Sequence, residues 1–486
     1  MIFLSLFLAT ASLTESCYES IDPNSIGQNL AFWELHKETP NGQKALKQAQ
    51  KLIGGGAENG FVFPAKIDSI VAALSGSETS PTEEFDQATA EMLEKSLSFL
   101  PNRKLKGSSL DDPEKLFKEC PESEIDLAHA LLLVQYGSKE IKKRKNLEVT
   151  LDLLAAQVIA RIGQNSLSDE KIEAINKLLF FDLGFRFPPK SVSEKAIEHY
   201  TFLPEVLESR RGVCLGTSII YYALAQRLGL PLDIYTPPGH IFLAHVDRAI
   251  ETTARGISIP MEDYLTPYMK KITKRSLKEV IGLVFMNEAS QLLQKGSWQK
   301  AADLYEKACQ FMPQDPLIKE LLGCCYFLLD RQKEAFSQLQ EAEKLPRDWL
   351  AQYDLASDIL QKRATKECLE AVLIAPDETR KSLLEKEANL KKALDKAPQF
   401  QSGYFMLAMT LIELGHKKEA THYLEKLIEL NPCHFAAHLV LCQLFHEQFD
   451  QKKADFHFQQ AKLLSQKSGL CQKPLEKIAL ELRTPF

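Results

Sequence analysis

A cysteine, a histidine and a carboxylate follow one another in the middle of the chain, as Cys214, His240 and Glu251. Residues of these three types can together perform nucleophilic catalysis, in which a thiolate attacks a carbonyl, an imidazole transfers the proton and a carboxylate orients the imidazole. Their order in the chain is weak evidence by itself. Such residues act together only if the helices and strands that carry them bring the three side chains close.

The segment after Cys214 has the pattern of a buried helix. Ile220, Leu224 and Leu228 recur every four residues, which places them on one face of a helix, and a glycine and a proline just beyond end it. Cys214 is therefore expected in the first turn, where unpaired amides and the helix dipole favour a thiolate over a thiol. A thiolate is the form that a nucleophilic cysteine needs.

His240 and Glu251 are expected on the two strands of a hairpin that follows this helix. The sequence Pro237–Gly239 forces a turn, and the apolar run Ile241–Val246 then predicts a strand that His240 opens. The return strand is predicted at Ala249–Thr253 and carries Glu251. The proposed base thus lies at the start of a strand, directly after a tight turn.

The register of this hairpin depends on its turn, and the sequence leaves two alternatives. A two-residue turn at Asp247-Arg248 would place Glu251 opposite Ala244, which is about 13 Å of strand from His240 and too far for a hydrogen bond. A wider turn that spans Ala244–Asp247 would bring Glu251 opposite His240.

Four stretches around these residues resemble a known family. They are IDLAHALLLVQYG (125–137), INKLLFFDLGF (175–185), FLPEVLESRRGVCLGTSIIYYALAQRLGLPL (202–232) and PPGHIFL (237–243). The region resembles the transglutaminase-like superfamily and, within it, the SirB-one type branch. This resemblance implies a small α+β papain/transglutaminase-like domain, which we place at 124–275.

The resemblance also implies roles for individual residues. Cys214 matches the nucleophile, His240 the base and Glu251 the acid, which is usually an aspartate in this family. Many sequences of the branch lack the cysteine and are regarded as inactive, whereas this chain retains it. Arg210 and Arg211 could bind a substrate carboxylate or oppose protonation of the thiolate, or they could form an ordinary solvated turn. This chemistry requires no cofactor and no metal.

Beyond Ile259 the sequence repeats with a period of 34 residues. The recurring positions are Ala301, Tyr305, Ala308 and Pro313, then Ala335, Leu339, Ala342 and, one residue early, Pro346. After a break in phase, a later set consists of Ala408, Gly415, Ala420, Leu424 and Pro432, followed by Ala454, Phe458 and Ala461. They resemble the tetratricopeptide (TPR) repeat, in which small residues let two helices touch and proline ends the pair. We predict an α-α superhelix of TPR repeats at 283–468, with an insertion near 347–380, and expect it to bind a protein or peptide partner.

The N-terminal part is expected to be helical. Within residues 1–14, the stretch Met1–Leu8 is apolar and is followed by small residues suited to cleavage. No lysine or arginine precedes the apolar stretch, so a signal peptide and a buried first element both remain possible. Export is favoured by a small margin over a cytoplasmic location. The segment is too short to cross a bilayer, and no stable membrane span is expected. Residues 15–123 are predicted to contain helices, one of them at Asn29–Leu52, and a linker at 101–123.

The composition argues against some kinds of partner. The 486-residue chain has a net charge of -6 and lacks a basic block, so nucleic acid is not an expected partner. The ten cysteines have no regular spacing, which indicates free thiols. Cys433, His434, His438 and Cys442 could be tested as metal ligands, but their spacing is more typical of helix packing within a repeat.

The chain is thus predicted to be mainly α-helical, with one small α+β domain and a helical repeat array. The favoured hypothesis is a cysteine-dependent acyl transferase or amide hydrolase whose repeats recruit a protein partner or substrate. The competing hypothesis is a non-catalytic scaffold, in which the transglutaminase-like fold is structural and the repeats mediate protein–protein interaction.

Overall fold

The computed structural model describes residues 13–54, 63, 67–75, 84–189, 200–377 and 379–481. Contacts divide the chain into two compact units, of which the first comprises Met1–Ile234 and His240–Ile259 and the second comprises Tyr235–Gly239 and Pro260–Phe486. Nearly all of the proposed signal peptide, 1–14, lies outside the described residues. Among the helices of the described ranges, none is long and apolar enough to cross a membrane.

The first unit is built mainly from helices. After a helical segment at 13–20, they are α1 (Ile26–Leu35), α2 (Pro40–Ile53), α3 (Asp68–Leu74), α4 (Gln87–Ser96), α5 (Pro113–Glu119), α6 (Leu127–Tyr136), α7 (Ile141–Ile162), α8 (Ser168–Asn176), α9 (Leu203–Ser209) and α10 (Cys214–Arg227). A π-helical turn, Lys177–Asp182, continues α8. The single helix predicted at Asn29–Leu52 is two helices, because Thr39 caps α2 and Pro40 occupies its first position.

The segment predicted as a linker, 101–123, is folded instead. It contains α5 and the 3₁₀ turns Pro101–Lys104, Lys106–Ser109 and Glu122–Glu124, and the side chains of Leu116 and Cys120 are buried. Its prolines begin helices, where a missing amide hydrogen costs nothing. Proline was therefore a signal for short helices here rather than for a flexible connection.

Helix α10 is the central element of the first unit. It packs against α6, α7, α8 and α9 as well as against a strand of the hairpin described below. Residues on all sides of it are buried, including Leu215, Ile220, Tyr221 and Leu224. The four-residue spacing seen in the sequence therefore marks only one of several buried faces.

A buried ionic network fixes the C-terminal end of α10. The Nε of Arg227 donates to Oδ1 of Asp152 on α7 at 2.7 Å, and both side chains are fully buried. Arg103 donates to the other carboxylate oxygen of Asp152, also at 2.7 Å. Gln226 bonds to the carbonyl of Ile125 at 2.8 Å and to the amide of Leu127 at 3.0 Å, which ties α10 to the start of α6.

Four short strands follow α10: β1 (Asp233–Thr236), β2 (Phe242–His245), β3 (Arg248–Ile250) and β4 (Thr273–Arg275). Strands β2 and β3 form an antiparallel hairpin in which Ala244 lies opposite Ala249. The small, largely antiparallel sheet beside a buried helix agrees with the predicted α+β domain.

The second unit contains a series of antiparallel helix pairs. Its helices are α11 (Leu277–Gln294), α12 (Trp298–Phe311), α13 (Pro316–Leu328), α14 (Gln332–Lys344), α15 (Leu355–Leu360), α16 (Lys366–Leu373), α17 (Arg380–Lys396), α18 (Gln401–Glu413), α19 (Lys417–Leu430), α20 (Phe435–Glu447), α21 (Gln451–Ser468) and α22 (Lys473–Glu481). Most consecutive helices pack against one another along the series, whereas α15 and α16 pack against α13 and α18. The predicted fold class, mainly α with C-terminal helical repeats, is confirmed.

The residues that recur every 34 positions lie between packed helices. Fully buried members are Ala301, Tyr305, Ala308, Ala335, Leu339, Ala342, Ala408, Ala420, Leu424, Ala454 and Ala461. An alanine at these positions lets two helix backbones approach closely, while the tyrosine or leucine fills the remaining gap. The period breaks where α15 and α16 are only 6 and 8 residues long, with irregular chain before α15.

The final helices cover apolar surface of the preceding pair, which gives a prediction about truncation. A chain ending at Pro432 lacks α20–α22 and would leave buried residues such as Leu424 and Leu427 without their neighbours. Because each large apolar side chain contributes about 1.5–3 kcal/mol on burial, we expect a melting temperature lower by more than ~5 °C and reduced solubility.

Thermal unfolding and sedimentation after heating would measure the effect, with a chain ending at Glu481 as the control because it retains every described helix. Equal stability of the full chain and the chain ending at Pro432 would contradict the stacked-repeat interpretation.

Candidate active site

Cys214 is the first residue of α10, as predicted. The preceding residue, Val213, occupies the N-cap position and provides no side-chain hydrogen bond to the first turn, although its own amide donates to the carbonyl of Tyr200 at 3.0 Å. The Cys214 side chain is partly exposed. The thiol therefore lies at a helix N-terminus, is accessible to solvent, and is next to amides that no side chain of the N-cap residue satisfies.

Two glycines around the cysteine allow α9 to pack tightly against the first turn of α10. A Cβ atom at Gly212 would lie 2.5 Å from Oγ1 of Thr217 and 2.9 Å from a methyl of Val206, and one at Gly216 would lie 2.5 Å from the carbonyl oxygen of Tyr200. Contacts this short are sterically forbidden. The glycines of the sequence RRGVCLG thus fix the position of the nucleophile's turn.

His240 follows a tight turn, in which Gly239 has a φ of +75° that glycine adopts without strain. Its Nε2 lies 2.7 Å from Oε2 of Glu251, which leaves Nδ1 for another partner. The His240 side chain is 29% exposed, whereas that of Glu251 is 6% exposed. The base can therefore reach a substrate while its acid stays shielded from water.

Glu251 is held by a local turn that the sequence did not reveal. Its side chain accepts a hydrogen bond from the amide of Thr253 at 3.0 Å and another from the Thr253 hydroxyl, and it caps the 3₁₀ turn Thr252–Ala254. The hydroxyl of the neighbouring Thr252 meets that of Ser218 on α10 at 3.0 Å. Thr253 is thus an orienting residue that was missed, and the Glu-x-Thr spacing of a side-chain cap was the available signal.

The hairpin register differs from both alternatives considered for the sequence. The turn consists of Val246 and Asp247, because His245 pairs with Arg248. The return strand ends at Ile250, so Glu251 leaves the ladder and turns back toward His240. Val246 has a φ of +54°, which a β-branched residue rarely adopts, and this is why an apolar strand was predicted through that position.

His240 and Glu251 shift each other's pKa toward the charged forms. The pKa of His240 is raised from 6.5 to about 10, first by a side-chain hydrogen bond with Cys214 and then by its hydrogen bond with Glu251. Burial alone would raise the pKa of Glu251, but hydrogen bonds from His240 and Thr253 outweigh burial and lower it to about 2. A protonated imidazole beside the carboxylate of Glu251 stabilises the negative charge of that carboxylate.

Arg210 is placed for a structural role. It has a φ of +55° and ends α9, is 8% exposed, and donates to the main-chain carbonyls of Leu183 and Ala72 at 3.3 and 3.5 Å. Arg211 is partly exposed and forms an isolated parallel bridge with Arg186. These contacts favour a role in shaping the site for Arg210; binding of a substrate carboxylate by either arginine stays a prediction.

The two histidines among the other metal-ligand candidates, His434 and His438, have structural partners. Nδ1 of His434 accepts a hydrogen bond from the amide of Ala437 at 3.1 Å, and His438 lies 3.0 Å from His457 and 3.0 Å from the carbonyl of Pro432. Burial is the main cause that lowers the pKa values of His434 and His438. Both imidazoles therefore favour the neutral form within the repeats.

One donor group among the described residues is compact enough to hold a metal ion. It consists of Glu387, His416 and Glu419, whose ligand atoms lie within 4.8 Å of one another. The ammonium group of Lys391 lies 2.7 Å from each of the two carboxylates. Their charge is already compensated by this lysine, and the group is remote in sequence from the site at Cys214.

Comparison with known families bears out both resemblances. Residues 145–281, which include all three candidate catalytic residues, match the Transglutaminase-like superfamily, and residues 402–433 match the Tetratricopeptide repeat. These parts of the chain are a transglutaminase-like domain and a TPR repeat. The SirB-one type subdivision is not specified by the match and stays a prediction.

Solved structures similar to part of the chain have low sequence identity and include two TPR proteins. A crystal structure of MamA has 15% identity and a TM-score of 0.22, covering 37% of this chain and 95% of its own. YrrB, described as a TPR protein with an unusual peptide-binding site, has 15% identity and a TM-score of 0.22, covering 41% and 92%. TTC0263, a thermophilic TPR protein of Thermus thermophilus, has 16% identity and a TM-score of 0.23, covering 41% and 98%. No curated protein sequence matches the chain.

The contact between Cys214 and His240 predicts selective alkylation. At pH 7 we expect iodoacetamide to modify Cys214 faster than the exposed Cys17 and Cys433, because a protonated imidazole stabilises the reactive thiolate. His240→Ala should slow the reaction at Cys214 by roughly tenfold or more and leave the rate at Cys433 unchanged. Mass spectrometry of digested samples would measure each rate, and an unchanged rate at Cys214 would contradict the proposed pair.

The ion pair of His240 and Glu251 predicts a dependence of stability on pH. The folded-state pKa of His240, about 10, lies above its ordinary 6.5, so its contribution is complete below pH 6.5 and is lost as pH rises through 10. The folded-state pKa of Glu251, about 2, lies below its ordinary 4.5, so its contribution is present above pH 4.5 and is lost as pH falls through 2.

We therefore expect Glu251→Gln to lower the melting temperature most between pH 4.5 and 6.5, with a difference from wild type that shrinks toward pH 10. Glu173→Gln, which changes an exposed carboxylate on α8, is the matched control and should have little effect at any pH. A melting-temperature difference for Glu251→Gln that stays constant from pH 5 to pH 10 would contradict the ion pair.

Proposed function

We propose that the chain is a cysteine-dependent acyl transferase or amide hydrolase of the transglutaminase-like type. The observation that carries the proposal is the arrangement of one imidazole between two partners, with Glu251 2.7 Å from Nε2 of His240 and Cys214 hydrogen-bonded to the same side chain. This is the arrangement that activates a thiol for attack on a carbonyl. The match of 145–281 to the superfamily supports the same chemistry. We propose 124–275 as the bounds of the domain.

The reaction would begin with attack of the Cys214 thiolate on the carbonyl carbon of an amide. The carbon–nitrogen bond then breaks, and the proton of the His240 imidazolium passes to the leaving amine, which produces a thioester. Water or a second amine attacks the thioester while His240 accepts its proton. The carbon–sulfur bond breaks, and the thiolate is regained beside a protonated imidazole.

The first turn of α10 could also stabilise the tetrahedral intermediate. Amides at a helix N-terminus point toward the negative charge that develops on the carbonyl oxygen. Val213 leaves these amides without a side-chain cap, and Gly216 lies within the same turn. Nucleophile and oxyanion donors would therefore belong to a single rigid element, held in place by the packing of Gly212 and Gly216 against α9.

Glu251 would act through His240 and not on the substrate. Its carboxylate would hold the ring through Nε2 and leave Nδ1 for the thiol, and its charge would stabilise the imidazolium until the proton passes to the leaving amine. Thr253 would fix the carboxylate in turn. The glutamate, which replaces the family's usual aspartate, is compatible with this role because its carboxylate reaches back from beyond the end of β3.

The repeat array, placed at 283–468, would bind a protein partner or substrate. The TPR match at 402–433 supports protein interaction in general, since stacked helix pairs present extended binding surfaces. Substrate recruitment and catalysis would then belong to different parts of the chain. The competing hypothesis, a non-catalytic scaffold, is tested by the same experiment.

Substitution of the nucleophile separates these roles. We expect Cys214→Ser to lower hydrolysis of a p-nitrophenyl acyl ester by about a thousandfold, because a hydroxyl is far harder to ionise than a thiol. The covalent acyl-enzyme detected by intact mass should disappear as well. Glu251→Gln should lower turnover by roughly tenfold or more, and Cys433→Ser, at an exposed thiol outside the site, should leave it unchanged.

Recovery of cellular partners by wild-type and Cys214→Ser chains is the companion measurement. Equal recovery with lost turnover supports divided labour between the domain and the repeats. Ester hydrolysis that is the same in wild type and Cys214→Ser would refute the enzyme hypothesis, and unchanged cellular function of the variant would favour the scaffold.

A further inference from the structure

A short segment, which turns at residues 267–268, forms main-chain hydrogen bonds with two distant parts of the repeat unit. This segment, residues 266–271 with the sequence TPYMKK, precedes β4 and is called the TPYMKK segment below. Within it, the amide of Lys270 donates to the carbonyl of Asp348 and the amide of Leu350 donates to the carbonyl of Tyr268, both at 2.7 Å. These two bonds enclose an antiparallel bridge between Met269 and Trp349.

A third main-chain bond joins the segment to the C-terminal end of the array. The amide of Cys471, just beyond α21, donates to the carbonyl of Met269 at 2.7 Å. Three consecutive residues of the segment therefore bond to chain that lies 78 or more residues later, in the irregular loop before α15 and in the connection to α22. These contacts are main-chain hydrogen bonds around one isolated bridge, as in a bound peptide, rather than packing between repeat helices.

Two side chains anchor the segment. Tyr268 packs against the core of the repeats, with its ring edge-on to Phe435 of α20 at 5.5 Å between centroids, and burial raises its pKa to about 12. Met269 is 1% exposed. Large apolar side chains that insert beside a strand of main-chain bonds are the features by which a strand-binding site selects its peptide.

The residues that follow these anchors face a carboxylate. Oγ1 of Thr273 donates to Asp348 at 2.9 Å, and the ammonium group of Lys271 lies 3.5 Å from the other oxygen of Asp348. The Lys271 side chain is 70% exposed, so this pair contributes little to stability. It does specify the charge that the position prefers, which is positive or neutral but not negative.

We infer that the loops around Leu350 and Cys471 form a strand-binding site that the TPYMKK segment occupies in cis, and that an extended partner peptide of the same chemistry competes for it. The peptide would carry an aromatic residue followed by methionine or another long apolar residue, and then a basic or hydroxyl residue. This inference rests on the partner-binding part of the proposed function and is independent of the chemistry at Cys214.

Occupation in cis has a definite consequence for affinity. A peptide binds only the fraction of molecules whose site is open, so its apparent affinity is reduced by that fraction. Weakening the internal segment should raise the open fraction and strengthen binding of an external peptide. A site without an internal competitor would show no such gain, and this difference decides between the two cases.

The experiment measures fluorescence polarisation of a labelled peptide that copies residues 264–273. With the full chain carrying Tyr268→Ala, which removes the ring that packs on Phe435, we expect the peptide to bind roughly tenfold more tightly than to wild type. Lys270→Ala is the matched control, because Lys270 is exposed and its amide is retained, and it should stay within about twofold of wild type. A peptide with alanine and serine at the positions of Tyr268 and Met269 should not bind.

Hydrogen exchange of the wild-type chain provides a second test that needs no variant. At saturating peptide the amide of Lys270 should lose protection, while those of Leu350 and Cys471 stay protected because the peptide supplies new carbonyl acceptors. Equal affinity of wild type and Tyr268→Ala would overturn the inference, and so would binding that leaves Lys270 protected. Neither result would bear on ester hydrolysis by Cys214, which tests the proposed function separately.

Discussion

The ion pair of Arg227 with Asp152 is the constraint on which the arrangement of the first unit depends. Both side chains are fully buried, and a buried charge that loses its partner destabilises a protein by several kcal/mol. Arg227 is the last residue of the helix that begins at Cys214. The pair therefore fixes the C-terminal end of α10, whose N-terminal residue carries the thiol. A shift of α7 would move α10 and thus the thiol.

The site itself combines elements with different degrees of rigidity. Cys214 belongs to a helix buried on several sides, whereas His240 and Glu251 belong to a short hairpin and a 3₁₀ turn. Hydrogen bonds connect these parts: Ser218 of α10 meets Thr252, and Thr253 holds Glu251. Positioning of the acid thus relies on hydroxyl groups close to the helix, and the hairpin needs no long strands to keep the three residues together.

Sequence patterns were informative where one local rule dominated. A small residue every 34 positions predicted the stacked helices, since close packing leaves few choices at those positions, and glycine and proline placed Cys214 at a helix start. The hairpin register could not be predicted, because Val246 lies in the turn with a positive φ that a β-branched side chain opposes, and this side chain is exposed. Residues 101–123 were misjudged because proline is as common at the first position of a helix as in a linker. Thr253 could not be identified, because a side-chain cap involves only two residues and so short a pattern recurs by chance in any sequence.

The two-residue turn at Val246 and Asp247 has a consequence for how such a chain can change by insertion and deletion. One residue added to or removed from the turn would slip the pairing of β3 with β2 by one position and send the side chains of β3 to the opposite face. Glu251, which directly follows β3, would then leave the ladder from a different position. Helix α10 and the start of β2 would keep their places, and thiol and imidazole would still meet. A change of one residue in the length of this exposed turn would therefore separate Glu251 from His240 while the fold persists. A change of two residues would keep the side chains of β3 on the same face and would alter only the distance between Glu251 and His240.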